Sequence, residues 1–302
     1  MKNKSQPYTE NNESMARTIQ QQISILQLVL AMFNTSPGAA NLRALSSQLM
    51  NDQSLVNLAQ SLAESALFFG KNYAALSSAE FAATFVDDLF GDRVSGINKT
   101  LIFDFIANQM AIGVTQSELI SELTGAFSSI SSSDPNWGKA ALHYNTSNAA
   151  KIIDHLLADT FVPADKAIVT DHMITQMAAG KTFGAMVVWA INTLDRADHD
   201  NLVWGKAAAL FKNRIEVSKY YSIDEASNAI DLVALQQILS GVTVDADSIG
   251  AAKAAIDNLI NLNNCLLDTD NKYFQLNKVF KDKERNLVLM SRRRSMAAEL
   301  IT

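Results

Sequence analysis

The strongest constraint on the fold is a pattern of apolar helices that recurs three times along the chain. In each copy an apolar helix closes on Phe or Leu, a turn follows, and a second helix carries Gln-Met or Gln-Leu. The copies comprise Leu28–Phe33 with Gln48-Leu49, Phe85–Phe90 with Gln109-Met110, and Ile152–Leu157 with Gln176-Met177. They begin 57 and 67 residues apart. A repeat of this length predicts stacked helical units that bury a face against their neighbours.

The composition favours helices over strands. The 302 residues include only 12 Gly and 4 Pro, which leaves few breaks for the turns of a many-stranded sheet. No segment shows the sustained alternation of apolar and polar residues that indicates a strand. The 48% of hydrophobic residues is enough for a full core. We therefore predict an all-α fold, an array of about ten to twelve helices built from three related helical repeats.

The predicted domain organisation has four parts, divided where the composition changes. The clearest internal break is the polar run Ser128–Asp134. The parts are a disordered N-terminus (1–13), helical repeats one and two (14–130), helical repeat three with the following helices (131–262), and a basic tail (263–302).

The charge of the chain is unevenly distributed. From Asn271 to Thr302 there are eight Lys or Arg and three Asp or Glu, a net charge of +5, so residues 1–270 carry −11 of the total of −6. An acidic body lacks the basic footprint of a nucleic-acid-binding protein. No apolar run reaches the roughly 18–20 residues of a membrane span. Cys265 is the only cysteine, so an intrachain disulfide is excluded.

Several helix ends are marked by capping signals. Ser77 with Glu80, Thr115 with Glu118, and Ser222 with Glu225 have the spacing of capping boxes. The segment Gly180-Lys181-Thr182 is similar to the end of a phosphate-binding loop, but Thr occupies position 175, where that motif requires Gly. We interpret Gly180 as the C-cap of a helix.

Two tryptophans near predicted helix starts are candidate ligand-binding residues. Trp137 follows Asn136, and Trp204 lies three residues after Asn201. Aromatic faces beside amide side chains suit sugar rings, whose C–H faces stack and whose hydroxyls need hydrogen bonds. The alternative interpretation is a tryptophan that seals the start of a helix.

Calcium is the one cofactor for which the sequence offers a candidate site. Asp195, Asp198 and Asp200 cluster in one loop, and hard carboxylate oxygens suit calcium. The cluster lacks the order of an EF-hand, and helix capping or solvation would equally explain it. The four histidines have intervals of 12, 17 and 27 residues, which provide no local ligand pair. Since no catalytic motif is present, we predict that the chain is not an enzyme.

The segments after the third copy carry a resemblance to a known family. Asn213-Arg-Ile-Glu-Val-Ser-Lys-Tyr-Tyr221 is similar to the Asn-Lys-x-x-Val-Ala-x-Tyr-Phe ending of helical repeats, of a domain-of-unknown-function type, in secreted bacterial RTX and S-layer proteins. Val242–Asp247, ahead of an Ala-rich helix, matches in style. The resemblance covers roughly residues 20–262. The glycine-rich calcium-binding nonapeptides are absent, and Gly91-Asp92-Arg93 lacks the Pro of the common Gly-Arg-x-Pro-Asp turn.

The resemblance implies a non-catalytic anchoring domain that binds lipopolysaccharide on the bacterial outer membrane and supports S-layer or adhesin assembly. It also implies self-association, a location at the cell surface and type I secretion, which uses no N-terminal signal peptide. One alternative is an intracellular helical scaffold that binds a protein partner through an apolar groove. Another is an enzyme whose site forms only in three dimensions.

Overall fold

The computed structural model describes residues 7–50, 54–198, 200–228 and 230–263. Within these residues it contains thirteen α-helices and no strand, which confirms the predicted all-α array. The helices are α1 (Pro7–Phe33), α2 (Ala39–Met50), α3 (Leu55–Ala63), α4 (Ala66–Phe69), α5 (Ser78–Phe90), α6 (Gly96–Ala111), α7 (Gln116–Ser128), α8 (Gly138–Leu157), α9 (Pro163–Ala178), α10 (Phe183–Arg196), α11 (Gly205–Lys219), α12 (Leu232–Ser240) and α13 (247–263).

The ends of the chain and its division differ from the sequence-based expectations. Helix α1 begins at Pro7, so residues 7–13, which were predicted to be disordered, are helical, and residues 1–6 lie outside the described residues. The basic tail also lies outside them, apart from residue 263 at the end of α13. The chain divides into two units after Lys253. Ser131 therefore lies inside the first unit, between α7 and α8, which pack on each other.

The repeat is visible in how the helices end. Helices α1, α5 and α8 are each ended by a residue with positive φ, namely Asn34 (50°), Gly91 (49°) and Ala158 (41°). A positive φ breaks the run of right-handed dihedrals and turns the chain. The same feature recurs at Ala226 (45°), after the π-helical turn Tyr220–Asp224 that follows α11. The element order therefore occurs four times, in α1–α3, α5–α7, α8–α10 and α11–α13, one copy more than the sequence pattern indicated.

The second and third copies correspond closely in register. Helices α6, α7 and α8 begin 67 residues before α9, α10 and α11, respectively. This offset equals the spacing of the second and third sequence patterns. The sequence pattern therefore located the structural repeat correctly for these two copies.

Replacing Ala158 by glycine is expected to stabilise the protein by about 1–2 kcal/mol, because a residue with a Cβ is strained at positive φ. Ala158 has φ 41° and ψ −130°, and the equivalent residue of the second copy, with φ 49° and ψ −140°, is already glycine (Gly91). Chemical denaturation measures the change. Ala44→Gly, at an exposed position within α2, is the matched control and should destabilise by about 1 kcal/mol. A destabilised Ala158→Gly variant would contradict the argument.

Helix α1 lies at the centre of the first unit. Its C-terminal half contains six residues that are at most 1% exposed, which are Ile25, Leu26, Leu28, Leu30, Ala31 and Met32. Helices α2, α8, α10 and α11 pack against α1, and α3 packs against α10. Apolar side chains on every side of a helix require neighbours on every side. The first copy is therefore enclosed by the third and fourth copies, which differs from the linear stacking that the repeat predicted.

The second copy has an aromatic core of its own. The Phe85 ring lies 5.3 Å from the Phe69 ring, 5.9 Å from the Tyr73 ring and 5.5 Å from the Phe81 ring. Burial, together with a hydrogen bond to Asp88, raises the pKa of Tyr73. Phe81 and Phe85 are fully buried. Contacts between aromatic rings add to the free energy gained by burying their surface.

Basic side chains occupy three helix C-termini inside the first unit. Lys151 Nζ donates to the carbonyl of Phe68 (3.1 Å), His155 Nδ1 to that of Ala31 (2.9 Å), and Arg214 Nη1 to that of His155 (3.1 Å). These carbonyls belong to the last turns of α4, α1 and α8. Because the last turn has unsatisfied carbonyls and a partial negative charge, the three side chains stabilise helix ends that would otherwise be buried unpaired.

Two of the three predicted capping boxes are confirmed and one is wrong. The boxes at Ser77 and Thr115 start α5 and α7 with reciprocal hydrogen bonds. Ser222 lies instead within the π-helical turn after α11, where its hydroxyl donates to the carbonyl of Pro37 (2.5 Å). A long-range partner has replaced the local cap, because this turn packs against α2.

Lowering the pH from about 7.5 to about 5.5 is expected to destabilise the protein, in part through His155. Burial, the largest cause, lowers the pKa of His155, as do the charges of Lys151 and Arg214, against the opposing effect of its hydrogen bond. Below the ordinary histidine pKa of about 6.5, the unfolded chain therefore takes up a proton that the folded chain does not. The free energy of unfolding, measured by denaturation across this range, should fall as the pH falls.

The control for this prediction is His155→Asn, whose side-chain amide can still donate to the carbonyl of Ala31. This variant should lose less stability than the wild type over the same pH range. His172→Asn, at an exposed position, controls for the loss of an imidazole. Identical pH dependence of the wild type and His155→Asn would contradict the assignment.

Candidate functional site

The first predicted ligand pair lies at the start of α8. The half-buried Trp137 ring packs 5.4 Å from the Phe90 ring and 6.4 Å from the Phe127 ring. The backbone N–H groups of Asn136 and Trp137 both donate to Asp134 Oδ1 at 2.8 Å. Trp137 therefore packs against the core of the second copy, while Asn136 is exposed in the turn before the helix.

The second predicted pair lies at the start of α11. The Trp204 ring packs 5.1 Å from the ring of Phe161. Asn201 Oδ1 accepts hydrogen bonds from the backbone N–H groups of Val203 (3.0 Å) and Trp204 (2.9 Å). The same turn chemistry thus precedes α8 and α11, with Asp134 in one place and Asn201 in the other. Each pair belongs to its own helix start, which supports the interpretation that the tryptophans seal helix ends.

The three aspartates of the predicted calcium site have different surroundings. Asp195 lies in the last turn of α10, where its Oδ1 accepts a hydrogen bond from Gln27 Nε2 at 2.7 Å. Asp198 and Asp200 follow in the connection to α11, and the carbonyl of Asp198 accepts from the N–H of Asn201 (3.0 Å). Across the described ranges, no group of three His, Cys, Asp or Glu side chains is arranged to hold a metal ion. Calcium binding stays a prediction.

A cleft between helices of three copies is the best-formed candidate site. It has a volume of about 600 Å³ and lies between the end of α3, the end of α7, the middle of α8 and the turn from α9 to α10. We call it the serine cleft, after the serines of the turn from α7 to α8. Its polar lining consists of Gln60, Glu64, Ser128, Ser129, Ser131, Ser132, Asn145, Lys181 and Thr182, and its larger apolar side chains are Ile130, Leu142, Ile174, Met177 and Phe183.

Glycines set the geometry of the cleft walls. A Cβ on Gly125 would lie 3.0 Å from Glu64 Cδ, so its absence lets the Glu64 side chain rest against α7. A Cβ on Gly138 would lie 2.4 Å from the carbonyl oxygen of Ser132. This glycine therefore lets the serine turn close onto the start of α8. Both contacts are tighter than ordinary van der Waals separation.

Side-chain amides connect the walls of the cleft. Gln60 Nε2 donates to Glu64 Oε1 (2.6 Å), and Gln60 Oε1 accepts from the N–H of Gly184 (2.8 Å). Asn145 Nδ2 donates to the carbonyl of Ser128 (2.9 Å). Each bond joins parts of the chain that are held apart in sequence or across a turn. The polar lining is therefore ordered before any ligand binds.

A smaller pocket adjoins the cleft behind Asn145. It shares Gln60, Glu64, Ser128, Asn145 and Phe183 with the serine cleft and has an accessible volume of about 10 Å³, at the lower limit for one water molecule. Tyr144 lines it, and burial raises the pKa of this tyrosine, although hydrogen bonds to Asn148 and Thr124 act in the opposite direction.

The segment that is similar to a phosphate loop contributes to the cleft in another way. Gly180 has φ 93° and ends α9, as predicted. Thr182 is the N-cap of α10, where its hydroxyl accepts from the N–H of Ala185 at 3.1 Å. Helices stand on both sides of this turn, whereas a phosphate loop follows a strand. Lys181, between the two caps, places an exposed cationic side chain at the cleft.

Sequence reasoning missed the residues that make this site. The serine run was recognised as a break between parts of the chain, but not as a wall. Asn145 carried one usable signal, because a helix face that presents Ala141, Ala149 and Ile152 to the core has an amide in its middle. Gln60 and Glu64 carried none, since their positions across from the serine turn depend on the packing of α3 against α10.

The comparisons with known proteins add no relative to this description. No protein-family model, curated protein or solved structure matches the chain. Every helix in the described part of the chain is too short or too polar to cross a lipid bilayer.

Proposed function

We propose that the chain is a non-catalytic anchoring domain of the bacterial cell surface, which binds the saccharide of outer-membrane lipopolysaccharide and supports S-layer or adhesin assembly. The observation that carries the proposal is the serine cleft. Hydroxyl and amide groups alternate there with apolar side chains such as Leu142 and Met177. Sugars present both C–H faces and hydroxyls, so they match a lining of this mixed kind.

The repeat resemblance supports the same proposal. Its motifs lie in the part of the chain that forms repeated helical units, and the proteins it resembles are secreted by a type I system and form surface layers. We propose the same location and export route for this chain. Calcium, bound near Asp195, Asp198 and Asp200, is proposed as an accessory ion.

Co-sedimentation with bacterial cells tests the anchoring function. The full chain should sediment with cells that carry lipopolysaccharide and stay in solution with cells stripped of it, and added calcium should increase the bound fraction if the ion is used. Ser131→Trp, which places a large side chain at the serine cleft, should reduce binding at least about tenfold.

Ser133→Trp is the matched control. Ser131 and Ser133 are both exposed and share one hydrogen bond of 2.8 Å, which either substitution removes, but only Ser131 lines the cleft. Equal sedimentation of the wild type with coated and stripped cells would refute the anchoring function. Equal loss of binding in the two variants would refute the cleft as its site.

A second candidate function is an intracellular scaffold that binds a protein partner. It is favoured by a stripe of exposed apolar side chains along α6, where Ile97 is 76% exposed, Leu101 59% and the adjoining Ile112 76%. Exposed apolar stripes of this kind mark protein interfaces. Retention of the chain in the cytosol, with no uncleaved protein at the cell surface, would favour this function over the first.

The same stripe also offers a test of the predicted self-association. Sedimentation velocity over a range of protein concentrations should show an assembly that Leu101→Asp abolishes. An unchanged assembly in this variant would exclude the α6 stripe as the contact between copies.

A further inference from the structure

One buried polar atom of the serine cleft lacks a partner. Asn145 is only 9% exposed, and its Oδ1 has no hydrogen-bond partner. Its Nδ2 donates to the carbonyl of Ser128, which fixes the orientation of the amide, because an oxygen in that position would face another acceptor. The unpaired oxygen therefore belongs to the side of Asn145 that needs a donor. A buried acceptor without a donor is unfavourable, so a bound donor group at this place would be stabilising.

The other polar groups beside Asn145 are also acceptors. The hydroxyl of Ser128 donates to the carbonyl of Gly125 (3.0 Å), and that of Ser129 donates to the carbonyl of Ala126 (2.7 Å). Each hydroxyl has one hydrogen, so both serines offer only lone pairs to a ligand. Glu64 is an acceptor as well, and one of its oxygens is already bonded to Gln60. This wall of the cleft calls for a ligand that donates.

The charges of the lining point in the same direction. Glu64 and Lys181 are the charged side chains of the cleft, so its formal charge is zero. Glu64 lies on the acceptor wall, whereas Lys181 is exposed in the turn from α9 to α10. A phosphate or carboxylate on the acceptor wall would meet lone pairs and a like charge, which is repulsive. A neutral hydroxyl can donate to these same groups.

We propose that the serine cleft selects an uncharged, hydroxyl-rich sugar residue and rejects phosphorylated or carboxylated ones. This inference rests on the proposed function, because it names the part of the saccharide that the cleft takes. The hydroxyls of the sugar donate to Asn145 Oδ1, to Glu64 and to the serine oxygens. Its C–H face packs on the apolar side chains of Leu142 and Met177.

Titrations of the full chain followed by amide NMR test the selection. The probes are methyl α-D-glucopyranoside, glucose 6-phosphate and glucuronate. The neutral glucoside should shift the side-chain amide signals of Asn145 and the backbone signals of Ser129–Ser132, with an affinity about tenfold higher than that of either anionic sugar. In Glu64→Gln, which keeps an oxygen for Gln60 Nε2, the anionic sugars should gain affinity while the neutral one retains most of its own.

Three outcomes overturn the inference in distinguishable ways. Tighter binding of glucose 6-phosphate than of the glucoside at the same signals refutes the selection for neutral sugars but leaves saccharide binding. Absence of shifts with all three sugars, while the chain still sediments with lipopolysaccharide-bearing cells, refutes the cleft and leaves the anchoring function. Unchanged anion affinity in Glu64→Gln refutes the role of the Glu64 charge. Ser133→Trp should bind the glucoside like the wild type, and Ser131→Trp should not.

Discussion

Replacing Gly184 by alanine should lower the free energy of unfolding by about 3 kcal/mol, at the upper end of the range for overpacked interiors. A Cβ at this position would lie 2.4 Å from the carbonyl oxygen of Val56 and 2.7 Å from the backbone nitrogen of Gln60. Both atoms belong to the backbone of α3, so the contact cannot be relieved by a side-chain rotation. Helices α3 and α10 would have to move apart, although they pack closely along their lengths.

Chemical denaturation followed by circular dichroism measures this loss. The control is Gly250→Ala in α13, where no atom lies within 4 Å of the added Cβ, and it should stabilise slightly because alanine has the higher helix propensity. A Gly184→Ala variant as stable as the wild type would show that α3 and α10 do not approach as closely as described. The variant should also lose sugar binding, because the N–H of Gly184 orients Gln60 at the serine cleft.

The sequence predicted those parts of the fold that depend on local interactions. The capping boxes at Ser77 and Thr115 were correct, because each involves residues three positions apart and the N–H groups of a single turn. The repeat was located correctly, because equivalent helix ends have similar apolar residues. The fourth copy was missed, since its second helix, α12, has 9 residues where α9 has 16 and carries no Gln-Met pair.

The features that the sequence could not predict depend on contacts between distant residues. Ser222 has the spacing of a helix cap, but it bonds to Pro37 because the π-helical turn packs against α2. The acceptor wall brings together Glu64, Ser128 and Asn145, which lie in three separate segments of the chain. No local pattern encodes this arrangement. The predicted tryptophan sites had a local pattern, but the pattern serves a turn that starts a helix.

Replacing Phe85 by alanine should lower the free energy of unfolding by about 3–5 kcal/mol, the largest loss that we predict. Phe85 is 0% exposed and touches three other aromatic rings, so the substitution leaves a cavity that the rigid neighbours cannot fill. Phe85→Leu keeps most of the volume and should lose much less.

The effect of Phe85→Ala should extend to the serine cleft. Helix α5 packs against α6 and α8, and α7 and α8 carry the serine turn between them, so loosening the aromatic core of the second copy frees one wall of the cleft. Ile97→Ala, at a position 76% exposed in the same copy, should change stability by no more than about 0.5 kcal/mol. Denaturation and amide NMR on the three variants measure both effects. A loss below about 1 kcal/mol for Phe85→Ala would show that this cluster does not hold the second copy together, and the dependence of the cleft on it would then fail as well.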